Sequence, residues 1–254
     1  MSLKNIYFTL IILLIIIIFF YIYHPQIINE SFSNNDLKVH FINLNENIDR
    51  WEKIKNTLPN LVRFNAINGK NINAGELIKN GFLTKKNTLR PGQLGCALSH
   101  IQVMNLIKNQ KEEYALILED DVIIPKNFQE IFNSIKPFFP QKWDVIFLGG
   151  CNIHGKKYNE KFIIPTNNSG SKNLCMHAVL LNKNNVDKIL KILKPLYRPI
   201  DSQLRDAYSK LNVFYTYPNI INQNKKLVSN RRVIDGLPQS KYWQNHHLDV
   251  KIQK

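Results

Sequence analysis

Acidic residues are scarce in this chain. Its 254 residues hold 19 Asp and Glu against 34 Lys and Arg, a formal net charge of +15. Sulfur is rarer still, with three cysteines and three methionines. Cys96, Cys151 and Cys175 are too few for a disulfide-built scaffold, and none has the close spacing of a zinc module. One bridge is open to an exported domain, and Cys151–Cys175 is the favoured pair. Basic tracts are also missing. The lysines are scattered, with no arginine-rich helix and no interleaved aromatics, so no nucleic-acid partner is expected. There is no internal repeat, and no low-complexity tract outside the N-terminal apolar run.

That run is Ile6–Tyr23, "IYFTLIILLIIIIFFYIY", whose one weakly polar residue is Thr9. Eighteen helical residues span roughly 27 Å, enough for a thin bilayer. Bulky residues continue to the end, where a cleavable signal would carry small ones, so the run reads as an uncleaved anchor. Residues 1–5 then form a cytosolic N-terminus, 24–36 a polar stem, 37–226 the main domain and 227–254 a polar tail or lid. Lys4 precedes the span, while Glu30 and Asp36 come before Lys38, so the positive-inside tendency sends the domain across the membrane as a single-pass type II protein. Without Lys4 the exported part carries +14. Asn29-Glu30-Ser31 and Asn167-Asn168-Ser169 are formal sequons, relevant only in a eukaryotic secretory route.

From Leu37 strand-like and helix-like pieces alternate. "LKVHFINL", "NLVRFNAING", "YALILE", "WDVIFLGG", "HAVLLN" and "NVFYTY" read as strands. "NENIDRWEKIKNTL", "RPGQLGCALSHIQVMNLIKNQ", "NFQEIFNSI" and "NVDKILKILKPL" read as helices. The second begins near Pro91, since proline suits a first turn, and its buried stripe is Leu94, Ala97, Leu98, Ile101, Met104 and Ile107. The alternation predicts an α/β domain with a mostly parallel sheet.

Against so few acids, "ALILEDDVIIP" stands out, with Glu119, Asp120 and Asp121 in a row after an apolar strand. Ligands of such sheets sit at the carboxyl ends of strands. On an extended backbone Glu119 and Asp121 share a side and Asp120 points away. Two carboxylates ~5 Å apart repel by about 3 kcal/mol at an effective dielectric of 20. A raised pKa, a basic partner or a divalent cation relieves this. Oxygen ligands suit magnesium or manganese, which take further ligands from phosphates. Helix capping is the competing role, but Pro125 delays the next helix to about Asn127.

Several segments together resemble glycosyltransferase family 25, the lipooligosaccharide and procollagen galactosyltransferases. They are "FINLNENIDRWEKI", "RFNAINGK", "GQLGCALSHIQV", "LILEDDV", "WDVIFLGG" and, more loosely, "YRPIDSQL" and "YPNIINQ". The resemblance covers about residues 38–224. It implies a GT-A-like, Rossmann-type nucleotide-sugar-binding domain, a UDP-sugar donor (galactose or glucose), a manganese-type ion with magnesium as the alternative, and inversion. Glu119 and Asp121 then hold the metal, and Glu119 and Asp120 belong to the donor-binding set. Asn43, Leu44 and Arg50 match the first motif, Ala66, Asn68 and Gly69 the second, and Gly95, Ser99 and His100 the third.

Each residue also has a plainer role open to it. Arg50 suits a phosphate, Asp49 or a solvated surface. Gly92 and Gly95 suit an anion at a helix start or close packing. His100 suits a structural contact or a metal. Asp201 is the candidate base for the acceptor hydroxyl, or an N-cap. His246, His247 and Asp249 offer a further metal ligand from the tail. The acceptor is a glycan, a lipid-linked glycan or a protein hydroxyl such as hydroxylysine. The catalytic domain is lumenal in a eukaryotic route, or on the cytosolic face in a bacterium. The alternatives are a non-catalytic binding or scaffold protein of the same fold, and a metal-dependent phosphohydrolase.

Overall fold

The computed structural model describes residues 37–166, 170, 172–224, 226–227, 229–236 and 251–253. Contacts divide the chain into Met1–Asp36 and Leu37–Lys254, and the described residues all belong to the second unit. The expected anchor, stem, both sequons and the His246–Asp249 ligands lie outside them. Among the described residues no helix is long and apolar enough to cross a membrane.

The strands are β1 (Lys38–Asn43), β2 (Leu61–Asn65), β3 (Tyr114–Glu119), β4 (Val122–Ile123), β5 (Val145–Cys151), β6 (His154–Lys157), β7 (Phe162–Pro165), β8 (Leu174–Asn182), β9 (Val213–Thr216), β10 (Asn222–Gln223) and β11 (Lys251–Gln253). The helices are α1 (Ile48–Ile54), α2 (Ala74–Lys79), α3 (Pro91–Lys108), α4 (Phe128–Ile135), α5 (Val186–Ile192), α6 (Ile200–Asp206) and α7 (Asn230–Ile234). Nine of these strands form one sheet in the order β11-β6-β7-β9-β5-β8-β3-β1-β2, and β4 pairs with β10 apart from it.

The sheet is mixed, which corrects the mostly parallel expectation. β2–β1, β1–β3, β5–β9 and β11–β6 are parallel. β3–β8, β8–β5, β7–β9 and β6–β7 are antiparallel. Strands and helices still alternate beyond β3, with α4 before β5 and α5 and α6 before β9. But β5, β6, β7 and β8 follow one another with no helix between them, so β8 returns antiparallel between β3 and β5, and β6 and β7 are four-residue strands too short to show a period.

β3 is buried on both faces, which is why it reads as a continuous apolar run. Ala115 and Ile117 pack on one side with Leu94, Val103, Met104 and Ile107 of α3 and Val186 and Ile189 of α5. Leu116 and Leu118 pack on the other with Phe128 and Phe132 of α4 and Phe41. Apart from Ala115, each such side chain contributes roughly 1.5–3 kcal/mol on burial. Leu98 and Ile101, expected in the buried stripe of α3, are only partly buried against this core. Val103 takes a fully buried place instead.

Chain order decides where a ligand can enter. β1 lies between β2 and β3, so the chain leaves its carboxyl end toward one neighbour and later returns on the other side. That divergence opens a crevice at the carboxyl ends of β1 and β3.

Candidate active site

A cavity of about 430 Å³ occupies this crevice. Its lining includes Ile42 and Leu44 at the end of β1, Ala66 and Ile67 after β2, and Gly92, Gln93, Cys96, Ser99 and His100 from α3. Glu119 at the end of β3, Asp120 and Asp121 just after it, and Asp201 and Ser202 of α6 line a further part of the wall. Gln223, Asn224, Leu227, Ser229, Asn230, Arg232 and Ile234 close it from the C-terminal side. Four carboxylates thus face a hollow whose only Lys or Arg among the described lining residues is Arg232.

The three consecutive acids have three different surroundings. Glu119 Oε1 lies 3.0 Å from His100 Nε2 and 3.7 Å from Cys96 Sγ. Asp120 Oδ1 accepts from Arg50 Nη1 at 2.8 Å, and its Oδ2 accepts from Asn43 Nδ2 and Asn230 Nδ2, both at 2.9 Å. Burial still pushes Asp120 above the usual carboxylate range, opposed by Arg50 and Asn43. Asp121 Oδ2 accepts from Gln223 Nε2 at 3.0 Å. Its Oδ1 is buried with no hydrogen-bond partner among the described residues. Burial first, and then the charges of Glu119 and Asp120, raise the Asp121 carboxyl to about 7.

Short-range structure explains the placement. After Asp121 the chain pairs Val122 and Ile123 with Gln223 and Asn222 in a two-stranded ribbon, which delivers Gln223 to Asp121. Pro125 then intervenes, and α4 starts at Phe128 with Asn127 before it.

The residues of the first three motifs divide into those that reach the cavity and those that build its frame. Leu44, Ala66, Ser99 and His100 line it. Ser99 is internally engaged, donating to Gly95 O at 2.7 Å and accepting from the Ile67 N–H at 2.9 Å. Arg50, read from sequence beside a phosphate or Asp49, is instead paired with Asp120. Asn43 is fully buried, joined to Asp120 and to Arg63 Nε at 2.9 Å. Asn68 caps a 3-10 turn through the Lys70 N–H and reaches Glu46.

The two motif glycines pack against each other's segments. A Cβ on Gly69 would lie 1.6 Å from Pro91 O, and one on Gly95 would lie 2.4 Å from Ile67 O and 2.7 Å from Gly69 N. No side chain fits there. The backbone N–H of Gly92, read as open to an anion, donates to Asp235 Oδ1 at 2.7 Å.

Asp201 is the second residue of α6, after Pro199 at the N-cap position. Its Oδ1 accepts from the Ser202 N–H at 2.7 Å, and its Oδ2 from the Cys175 N–H at 3.3 Å. Cys175 is itself bridged to Cys151, and both Cys175 and Asp201 line the cavity.

Sequence reasoning passed over Cys96, Gln223, Asn230, Arg232 and Asp235. Cys96 had a readable signal, because it sits four residues before His100 on one helix face. The other four belong to a polar stretch without periodicity.

In open α/β sheets, ligands sit at the carboxyl ends of strands where the strand order diverges, and the carboxylate-lined crevice lies at such a place. The sequence profile of glycosyltransferase family 25 (LPS biosynthesis protein) matches residues 36–204. The chain belongs to that family. It is also similar to procollagen galactosyltransferase 1-B of Xenopus laevis, with 28% identity over 128 residues, covering 44% of this chain and 21% of that protein. The chain thus spans about a fifth of that relative's length. Among solved structures it matches a glycosyltransferase involved in the glycosylation of the major capsid of PBCV-1, with a TM-score of 0.44, 10% identity, and coverage of 79% of this chain and 97% of that one.

Proposed function

We propose that this family 25 glycosyltransferase has a GT-A-type domain and transfers a hexose, galactose or glucose, from a UDP-sugar to a hydroxyl with inversion, using a divalent cation. Manganese is the first choice of ion and magnesium the second. The observation that carries the reading is the buried Asp121 Oδ1, which has no hydrogen-bond partner among the described residues and lies two residues from Glu119 in the cavity wall. A buried carboxylate oxygen without a donor is costly unless a cation satisfies it. Glu119 and Asp121 would hold that ion, and their oxygen set fits a hard one. When bound, such an ion neutralises charge developing on the departing diphosphate.

The remaining roles fall to the chain's own groups. Asp120, locked by Arg50, Asn43 and Asn230, fixes the backbone between the two ligands. Leu44, Ala66 and Ile67 give the apolar wall against which a base and ribose can lie. Asp201 Oδ2, whose one described donor is at 3.3 Å, accepts the acceptor hydroxyl's proton as that oxygen attacks the anomeric carbon. Asn43, Asn68, Gly69 and Gly95 act through the frame rather than by contact.

The acceptor is a glycan, a lipooligosaccharide or a hydroxylysine. The Cys151–Cys175 bridge supports an oxidising lumen over a reducing cytosol. It therefore favours a type II protein anchored through Ile6–Tyr23, with its domain lumenal in a eukaryotic route.

The test is UDP release from a panel of UDP-hexoses with manganese, with and without acceptors. Glu119→Ala and Asp121→Ala should each abolish release. Asp201→Asn should lower acceptor-dependent transfer far more than donor binding. Undiminished turnover in both metal-ligand variants would refute the reading.

A further inference from the structure

Cys96 and His100 stand four residues apart on α3 and so share one helix face, with Glu119 opposite them at the end of β3. The three side chains bring a sulfur, a ring nitrogen and a carboxylate oxygen to within 4.8 Å of one another. All three line the cavity. We propose that Cys96, His100 and Glu119 form a site for one thiophilic divalent cation of the zinc class, open to the cavity on its fourth side.

The distances fit that geometry. With bonds of about 2.0–2.3 Å, neighbouring ligand atoms of a tetrahedral ion lie roughly 3.3–3.6 Å apart. Here Nε2 to Oε1 is 3.0 Å and Sγ to Oε1 is 3.7 Å. Those two pairs need shifts of only a few tenths of an ångström, and the third, Sγ to Nε2, lies within 4.8 Å. Cys, His and carboxylate with an open position is a ligand set zinc accepts, and the thiolate selects against manganese or magnesium.

Binding follows a definite proton balance. The Cys96 thiol loses its proton to solvent and becomes a thiolate. The proton shared between His100 Nε2 and Glu119 Oε1 in the ion-free protein must also leave that contact, and the neutral ring then keeps its proton on Nδ1, so that Nε2 presents a lone pair. Nδ1 is buried without a hydrogen-bond partner among the described residues, which holds the affinity below that of a structural zinc. Cys96 keeps its thiol, whereas the other sulfur–histidine grouping, Cys151, Cys175 and His177, has both sulfurs in a disulfide.

The site stands apart from the transfer reaction except at Glu119. If the hard-ion reading above is right, zinc at Cys96 withdraws that carboxylate from the manganese pair and opposes donor binding.

The test uses the full-length, ion-free chain titrated with cadmium alone, followed by its thiolate-to-cadmium ultraviolet band. The band should saturate at one ion per chain, reverse with zinc and persist against equal manganese. Cys96→Ser should abolish it. His100→Gln should keep the band but weaken binding by at least about tenfold, the lower end of the cost of losing even an outer-shell partner. No band in the native chain, a full band in Cys96→Ser, or unchanged affinity in His100→Gln would each overturn the proposal. Should Cys96→Ser fail to fold, alkylation of the native chain located by mass spectrometry decides. Zinc must slow labelling at Cys96, and unaltered labelling overturns the site. Manganese-dependent UDP release is a separate readout, so either proposal can fail while the other stands.

Discussion

Asp120 and Asp121 are neighbours in the chain and opposites in circumstance. Asp120 is tied on both oxygens by Arg50, Asn43 and Asn230. Asp121 has one donor, Gln223, and one oxygen without any described partner. The first carboxylate belongs to the frame, and the second has spare coordinating capacity. Both stand in the turn between β3 and β4 and line the same cavity, so their difference comes from the donors each one meets.

The largest test of this contrast removes each acid in turn. Asp121→Ala should cut manganese-dependent UDP release at least about a hundredfold, the scale of losing one charge-stabilising group. It should leave cooperative unfolding intact. Asp120→Ala should do the reverse in emphasis. It strands the Arg50 guanidinium, whose side chain is only 9% exposed, and should cost on the order of 3 kcal/mol in urea unfolding. Equal stability loss in both variants would erase the distinction.

A third test uses pH. Asp121 titrates near 7 in the ion-free protein, so below that value an incoming cation must expel a proton. Manganese affinity should rise by up to about tenfold per pH unit up to that point and level off above it. The sign for stability is opposite. Between the ordinary carboxylate value and about 7 the folded state holds a proton that the unfolded state has lost. This group therefore subtracts stability as pH rises through that window. Asp121→Asn should flatten that slope, and unfolding midpoints across the range would show it. The smallest effect belongs to Gln223→Ala. Losing its bond to Oδ2 removes support for the charged form, so the pH midpoint for manganese binding should move up by less than about one unit.

Much of the domain was legible before any coordinates. β1, β3, β5 and α3 declare themselves through apolar runs and Pro91, and the acid triplet announces the crevice. The partner of Arg50 was not legible, because nothing local says that a helix residue 70 positions before Asp120 will meet it. For Gly95 an anion and close packing were equally open from sequence, and the structure shows Gly69 and Gly95 pressing the loop after β2 onto α3. The C-terminal stretch was hardest. Asn230 and Asp235 act through single hydrogen bonds to Asp120 and Gly92, and such contacts leave no periodic trace.

The carboxylate of Asp235 sits on the first turn of α3, where a phosphate oxygen would be welcome. A negatively charged guest heading for those amides meets a rival fastened to the same chain, at a local concentration no free solute matches. Its measured affinity would therefore include the work of evicting that rival, and once evicted, the segment around Asn230 would lose one of its moorings.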